Sequence, residues 1–530
     1  MPATSTPAPE KHYRGPFGFL GNMSTRSAVA TIFVVAMFID IMDGTIVNTA
    51  LPAIGKEFHH DSPSQLSWVV LGYLLSLAIW IPASGWLGDK FGTKKIFLFA
   101  LFMFTCASIL CGSADSLLQL SIFRFIQGIG GGMMTPVGTA MLFREYPPAE
   151  RAKASAILVV PTLIAPALGP VLGGYLTDQL SWRWIFFVNA PFGVAAFLFG
   201  IWRLKEYQHE AAGKFDPAGF VLSAGALGAV LYALTEAETV GWASPQVLVP
   251  LVVGLALGAA LVVVEARVKD PILALRLFKE SVFRSTNLTS VFSTASFFGL
   301  ILLMPLMLQT VRGLTASQSG LTTFPQAVGV IVMSQIVRKL YPKIGPRRML
   351  CFGLIAGGLV MLSLQFTTAA SSLWIYRVVL FGRGMCWAFV FIPLQAAAFA
   401  KISPVDTGRA SALFSTQRQF SSSLGIAVLI SILAAQITKT KATVRDLVEH
   451  GHVLTHAETV SHFYDAYKVP FFWCSMFAFI GAISALWVDD TSVLAVLRGG
   501  GQPRPGGSGG PGSSTTPSPT TQGRSGDVTP

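Results

Sequence analysis

Gly85-Trp-Leu-Gly-Asp89-Lys-Phe-Gly92-Thr-Lys-Lys95 separates two apolar stretches, about 66–87 and 95–113, and holds three glycines and four charges in eleven residues. It is too charged to lie in hydrocarbon and too short to be a domain. Each flanking run has roughly the 20 residues that a helix needs to cross a bilayer. The segment therefore reads as a tight basic turn between two spanning helices. Gly85, Gly88 and Gly92 let the chain turn with the helices close together. Asp89 and the cations after it are placed to pair with the inner ends of other helices, and such a latch breaks cheaply at a wet surface.

The turn returns 253 residues later, where Gly345-Pro-Arg-Arg348 stands against Gly92-Thr-Lys-Lys95. At the same shift Leu51-Pro52 matches Met304-Pro305, Ser64-Gln65 matches Ser317-Gln318, and Arg124 matches Arg377. The segments 148–156 and 404–412 follow at a shift of 256, and Leu168-Gly169 then falls on Leu424-Gly425. Six helices with their loops need roughly 180–190 residues. The shift is longer by about two helices. The chain thus reads as two six-helix halves with an inserted pair, about 217–266, between them.

Composition agrees. The 530 residues are 52% hydrophobic and 12% charged, against about 25% charged in soluble proteins. Long continuous apolar runs exclude a β-barrel, whose strands alternate. Fourteen spans are expected, at about 28–50, 66–87, 95–113, 117–141, 153–176, 183–203, 217–236, 246–266, 287–310, 318–338, 347–367, 371–400, 410–437 and 468–488. With the N-terminus inside, about 27 of the 38 Lys and Arg fall on the inner side, the asymmetry that sets membrane orientation. Both termini are therefore expected in the cytoplasm of a multi-pass protein of the plasma (inner) membrane. The net charge of +12 reports orientation and gives no reason to expect nucleic acid. The start, 1–27, reads as a cytoplasmic tail leading into an uncleaved first span. The halves are 28–203 and 285–490, with the inserted pair and a linker at 204–284. The Gly-, Pro-, Ser- and Thr-rich end, 491–530, reads as a disordered cytoplasmic tail.

Several chemistries are absent from the pattern. Cys106, Cys111, Cys351, Cys386 and Cys474 sit in or beside apolar runs with no disulfide or zinc spacing. The outer stretch 439–467 carries His450, His452, His456 and His462 and reads as a solvated amphipathic segment rather than a metal site. No nucleotide-binding loop and no nucleophile–base constellation stands out. Neither an enzyme nor a cofactor is expected.

Charges inside spans carry the chemistry. Asp40 and Asp43 are the acidic residues well inside a span and lie three apart on one helix face. Burial and mutual repulsion both favour proton uptake by such a pair. Arg124 lies within span four, where a charge costs about 2.5–3.5 kcal/mol and must face a partner or a cavity. In Pro161 to Gly174, Gly169 and Gly173 form a small-residue face, while Pro166 and Pro170 bend the helix. A bent helix packed against the other half would act as a hinge and seal. A polyspecific cavity needs an apolar lining with few polar groups. Asn48, Asn189, Gln326, Gln395 and Arg418 are the polar candidates for substrate.

Gly85 to Lys95 resembles the signature loop of the major facilitator superfamily. Arg124-Phe-Ile-Gln-Gly-Ile-Gly-Gly-Gly132 resembles its intramembrane arginine motif, and Gly169-Pro170-Val-Leu-Gly173-Gly174 resembles its antiporter motif. Asp40 to Pro52, Ser181 to Gly193 and Gln417 to Gly425 are similar to the fourteen-helix drug:proton antiporter-2 family. The resemblance spans about 27–490. It implies an all-α fold with a site between the halves at mid-membrane, and export of lipophilic or cationic drug-like molecules against protons. Asp43, Asp40 and Arg124 would couple protons. Gly85, Asp89, Gly92, Lys94, Lys95, Gly169, Pro170, Gly173 and Gly174 would gate. Some exporters of that family work with a periplasmic adaptor protein. Two other readings stand beside this one. The first is a dedicated exporter of one endogenous metabolite or lipid. The second is a non-transporting scaffold or sensor, against which the costly intramembrane charges argue.

Overall fold

In a computed structural model, the described residues are 23–59, 63–147, 150–207, 213–450, 453 and 455–497. Among them the regular structure is helical, without strands. The first half comprises α1 (Thr25–Phe58), α2 (Pro63–Phe91), α3 (Thr93–Gly112), α4 (Leu117–Glu145), α5 (Arg151–Gln179), the short α6 (Trp184–Phe187) and α7 (Asn189–Arg203). The inserted pair is α8 (Pro217–Val240) and α9 (Pro245–Glu265). The second half comprises α10 (Ser281–Thr310), α11 (Ala316–Thr323), α12 (Pro325–Ile344), α13 (Pro346–Leu362), α14 (Leu373–Ala398), α15 (Thr407–Glu449) and α16 (His456–Ala485), followed by α17 (Asp490–Leu497).

Local chemistry sets the ends. Ser24, Ser116 and Asp216 cap α1, α4 and α8 through their side-chain oxygens. Thr315 with Gln318 and Thr455 with Glu458 form reciprocal capping boxes at α11 and α16. Two spans are broken. Pro191 lies in the first turn of α7 and Pro325 opens α12, and a proline supplies no N–H to the turn before it.

Among the described residues, twelve helical segments are long and apolar enough to cross a membrane, with α6–α7 and α11–α12 each counting as one. Helices α4 and α5, 29 residues each, are as long. Arg124 with its glycines, and three prolines in α5, make them less apolar. They pack among the other spans, and the expected count of fourteen includes them. Large apolar side chains such as Leu118, Leu198, Val221 and Leu255 point outward, as a lipid-facing surface requires.

The repeat is visible in packing. In the first half α1 packs on α5, while α2 and α3 pack on α4; in the second α10 packs on α15, while α12 and α13 pack on α14. The repeated turns match as well. Gly92 and Gly345 both adopt positive φ, 99° and 87°, where a side chain would be strained. Each turn is held by a distant acid. Glu206 accepts from the Lys94 amide at 3.0 Å and Asp490 from the Arg347 amide at 2.6 Å. The inserted α8 and α9 pack on each other, and α8 touches both α2 and α15.

The helices extend into two stretches expected to lie outside the spans. The outer stretch 439–467 is largely helix, since α15 continues to Glu449 and α16 starts at His456. No group of three potential metal ligands occurs among the described residues. The C-terminal tail does not begin at 491, because Asp490–Leu497 is a helix with Val493 fully buried, and Asp489 accepts from the Thr491 and Ser492 amides. The Thr491 and Ser492 side-chain hydroxyls first, and then these amides, hold the Asp489 carboxyl down at about 2. Of the tails expected at 1–27 and 491–530, residues 1–22 and 498–530 lie outside the described residues.

Candidate functional site

Helix α1 carries both aspartates into the first half, and their surroundings differ. Asp43 is fully buried and ion-paired to Arg124, itself 1% exposed. Its Oδ1 also accepts from Gln127 Nε2 at 3.0 Å and from Asn189 Nδ2 at 2.9 Å. Arg124 donates further to Gln127 Oε1 at 2.8 Å and to the Val69 carbonyl at 3.1 Å, and lies 4.2 Å from the Tyr73 ring centre. Asn189 reaches Asp43 from the start of α7, just after the break, and also donates to Ser108 at 3.1 Å. Asp40, one turn earlier, accepts from the Tyr73 hydroxyl at 2.5 Å and from Thr135 at 3.3 Å. Tyr73 thus stacks on the arginine that pairs with Asp43 while bonding to Asp40. Residues from α1, α2, α3, α4 and α7 form one connected polar network inside an apolar bundle. Asn189, expected to meet substrate, belongs to this network instead.

The basic loops lie on one side, and there the halves are in tight contact. A Cβ on Gly85 would stand 2.9 Å from the Gly408 carbonyl and 3.1 Å from Ala412, so α2 and α15 touch nearly backbone to backbone. Asp89 pairs with Arg144 at 2.9 Å, both nearly buried, and lies against Gly408. Phe143 stacks on Phe399 at 4.6 Å, and Ser411 donates to the Pro136 carbonyl at 2.7 Å. Lys94 donates to the Ile201 carbonyl at 2.8 Å, while Lys95 is exposed.

Toward the other side, where α10 ends and α11 begins, a partly open cleft between the halves holds a small cavity of about 60 Å³. Pro166 and Pro170 of α5 form one wall, and Met304, Gln309, Thr323 and Gln326 contribute to the opposite one. The face of α5 that meets the second half is thus its proline face. The glycine face packs within the first half: Gly169 and Gly173 lie on α1, where any Cβ would overlap Thr45 and Thr49. Gly174 has nothing within 4 Å of its Cβ position among the described residues.

Of the other polar candidates, Gln326 lines the cavity. Asn48 is exposed, Gln395 is half-buried, and Arg418, also half-buried, makes no hydrogen bond or ion pair among the described residues. None of these three lines the cavity. The repeat assigns Arg377 as the partner of Arg124, but Arg377 stacks on the exposed Trp374 at 4.7 Å. The buried arginine of α14 is Arg383, fully enclosed and bonded to Gln326 Oε1 at 2.6 Å. Its signal was a charge in mid-span, between two glycines.

A model of the Major Facilitator Superfamily matches residues 33–426. Among curated proteins, the chain is 33% identical over 416 residues to a multidrug resistance protein B homolog of Mycobacterium tuberculosis, covering 78% of this chain and 77% of the relative. It is 35% identical over 409 residues to multidrug resistance protein Stp of the same species, covering 76% and 75%. It is 32% identical over 425 residues to multidrug export protein EmrB of Escherichia coli, covering 79% and 80%. Two solved structures share the fold: the human organic anion transporter MFSD10, with a TM-score of 0.58 at 14% identity, covering 86% of this chain and 100% of that one; and the proton:xylose symporter XylE, with a TM-score of 0.56 at 14% identity, covering 89% and 98%. A multi-pass helical membrane protein built on this repeat, with its halves meeting around a cavity, belongs to the Major Facilitator Superfamily and is a transporter, not an enzyme.

Proposed function

We propose that the chain is a proton-coupled antiporter that exports drug-like, lipophilic compounds by alternating access, with its basic side cytoplasmic. The observation that carries this reading is the Asp43–Arg124 pair, buried within the first half and bonded to Gln127 and Asn189. Charges enclosed within spans are costly, and they mark proton and ion pathways in membrane transporters. The relatives' names, multidrug resistance and multidrug export proteins, supply the substrate class. The cavity wall supports the lipophilic half of the expectation, since among the described residues its lining is apolar or neutral, with prolines, leucines and methionine beside Gln309, Thr323 and Gln326.

The packing suggests how proton and substrate sites communicate. A proton on Asp43 removes the charge that holds Arg124, while Arg124 keeps its bonds to Gln127 and Val69. That changes what fixes α1 to α4. Thr45, two residues from Asp43, abuts Gly169, and the next residue, Pro170, is in the cavity wall. Movement of α1 therefore reaches the substrate through α5. One proton falling through 100 mV supplies about 2.3 kcal/mol, a gradient of roughly 50-fold.

Inverted vesicles carrying the protein, energised and loaded with a pH-sensitive dye, test the reading. Adding lipophilic drugs is expected to release protons with the intact protein but not with Asp43→Asn or in empty vesicles. Equal release by Asp43→Asn would remove Asp43 from the coupling path, and drug transport without any proton movement would overturn antiport.

A further inference from the structure

Arg383 is a charge without a counter-charge. It is fully buried, and it donates to Gln326 Oε1 at 2.6 Å and to the carbonyls of Ser296 and Phe297 at 3.3 Å each. The Phe297 and Trp387 rings hold its guanidinium, with centres at 5.0 and 4.5 Å. Among the described residues its Nε has no hydrogen-bond partner, nor has the Nε1 of Trp387. All of its acceptors are neutral. The sequence contains no Asp or Glu between Glu280 and Asp406, and no carboxylate pairs with Arg383 among the described residues.

The first half shows what is missing. At the repeat shift of 253, Tyr73 corresponds to Gln326 and Asp43 to Ser296. The second half thus places a guanidinium against the equivalents of Tyr73 and Asp43, but a serine stands where the acid would be. An enclosed cation without an anion is held at a cost of several kcal/mol. Here the cation stands beside the cavity. Gln326 is in the cavity wall, as is Leu380, one turn before Arg383 on α14.

We infer that Arg383 is the counter-charge for an anionic group on the transported molecule, a carboxylate on an apolar aromatic body, which enters the cavity and takes the place of Gln326 Oε1 at the guanidinium. The apolar body would lie against Pro166, Pro170 and Met304 once the halves part and widen the cavity, which at about 60 Å³ is smaller than such a body. The inference rests on the export reading only for the direction of transport, because the binding itself needs neither protons nor a gradient.

The test is equilibrium binding to the full chain in lipid nanodiscs, with empty discs as background. The probes are 9-anthracenecarboxylate and its methyl ester, followed by fluorescence anisotropy. A hydrogen bond to a charged group is worth about 1.5–3 kcal/mol, so the acid is expected to bind at least about tenfold tighter than the ester. That ratio is expected to collapse toward one in Arg383→Gln. It should collapse as well in Gln326→Glu, a near-isosteric change that gives Arg383 a carboxylate of its own and keeps the buried charge satisfied if Arg383→Gln fails to fold. Arg383→Lys, which keeps the charge, should hold the ratio well above that of Arg383→Gln. An acid-to-ester ratio near one in the intact protein, a ratio that survives both Arg383→Gln and Gln326→Glu, or failure of the acid to bind at all would overturn the inference. Proton release by neutral drugs in the vesicle assay would survive that result, so the two readings fail separately.

Discussion

Three side-chain donors converge on Asp43, the Arg124 guanidinium and the Gln127 and Asn189 amides. This residue-scale arrangement makes its own prediction about stability. Removing one member of a buried pair leaves an uncompensated charge and costs about 3–5 kcal/mol, whereas neutralising both is much cheaper. Arg124→Ala should therefore lower the thermal unfolding temperature of the purified protein clearly more than the double variant Asp43→Asn with Arg124→Gln. Measured in one detergent, an Arg124→Ala protein as stable as the intact one would show that the pair is not a structural necessity. Asp40 lies in the same network but without a cation bonded to it; its donors are the Tyr73 and Thr135 hydroxyls. The two aspartates were visible in the sequence because charge is rare in apolar runs. Their division of partners was not, because it depends on which helices surround α1.

At the scale of the helix, small residues fix distances that larger ones would open. A Cβ on Gly169 would overlap the Thr45 hydroxyl and stand 3.1 Å from its Cβ. Overpacking of this kind costs typically 1–3 kcal/mol. Gly169→Ala is expected to lower stability by about that amount and to slow drug-driven proton release. Thr45→Ala in the same chain should restore part of both, because it deletes the overlapping oxygen. If unfolding temperatures show no such rescue, the α1–α5 contact is not what Gly169 protects. The helices themselves were legible because a bilayer demands long apolar runs, and the repeated glycine turns were legible because positive φ restricts the residue used. Helix rotation was not. Gly169 and Gly173 form one stripe of α5 and Pro166 and Pro170 another, and nothing in the sequence states which one meets the second half. Arg377 and Arg383 pose the same difficulty: six residues apart, they lie about 120° apart around the helix, so only one of them turns inward. The repeat aligned Arg124 with Arg377 by register along the chain, whereas burial is decided by the facing surface.

Across the whole molecule, the basic side is closed by packing and ion pairing while the cavity lies toward the other side. Alternating access requires that closure to be reversible, and the groups at the closure are of two kinds. Gly85 against Gly408 and Ala412 is a close apolar contact, and Phe143 on Phe399 adds stacked rings; neither responds to a single charge. Asp89 does, since its carboxylate holds Arg144 and lies against Gly408 at the start of α15. Asp89→Asn keeps the shape and removes the charge, so the balance should move toward a basic side that is open. The reporter is Ala412→Cys in a chain otherwise free of cysteine, since Ala412 is fully buried and touches Gly85. Its alkylation by a small maleimide should be several-fold faster with Asp89→Asn than with Asp89 intact. A charge-reversed pair, Asp89→Arg with Arg144→Asp, should bring the rate back toward the starting value if Arg144 is the partner that matters. Unchanged labelling in Asp89→Asn would place the seal in the apolar contacts alone and would make the charged turn a determinant of orientation rather than of gating.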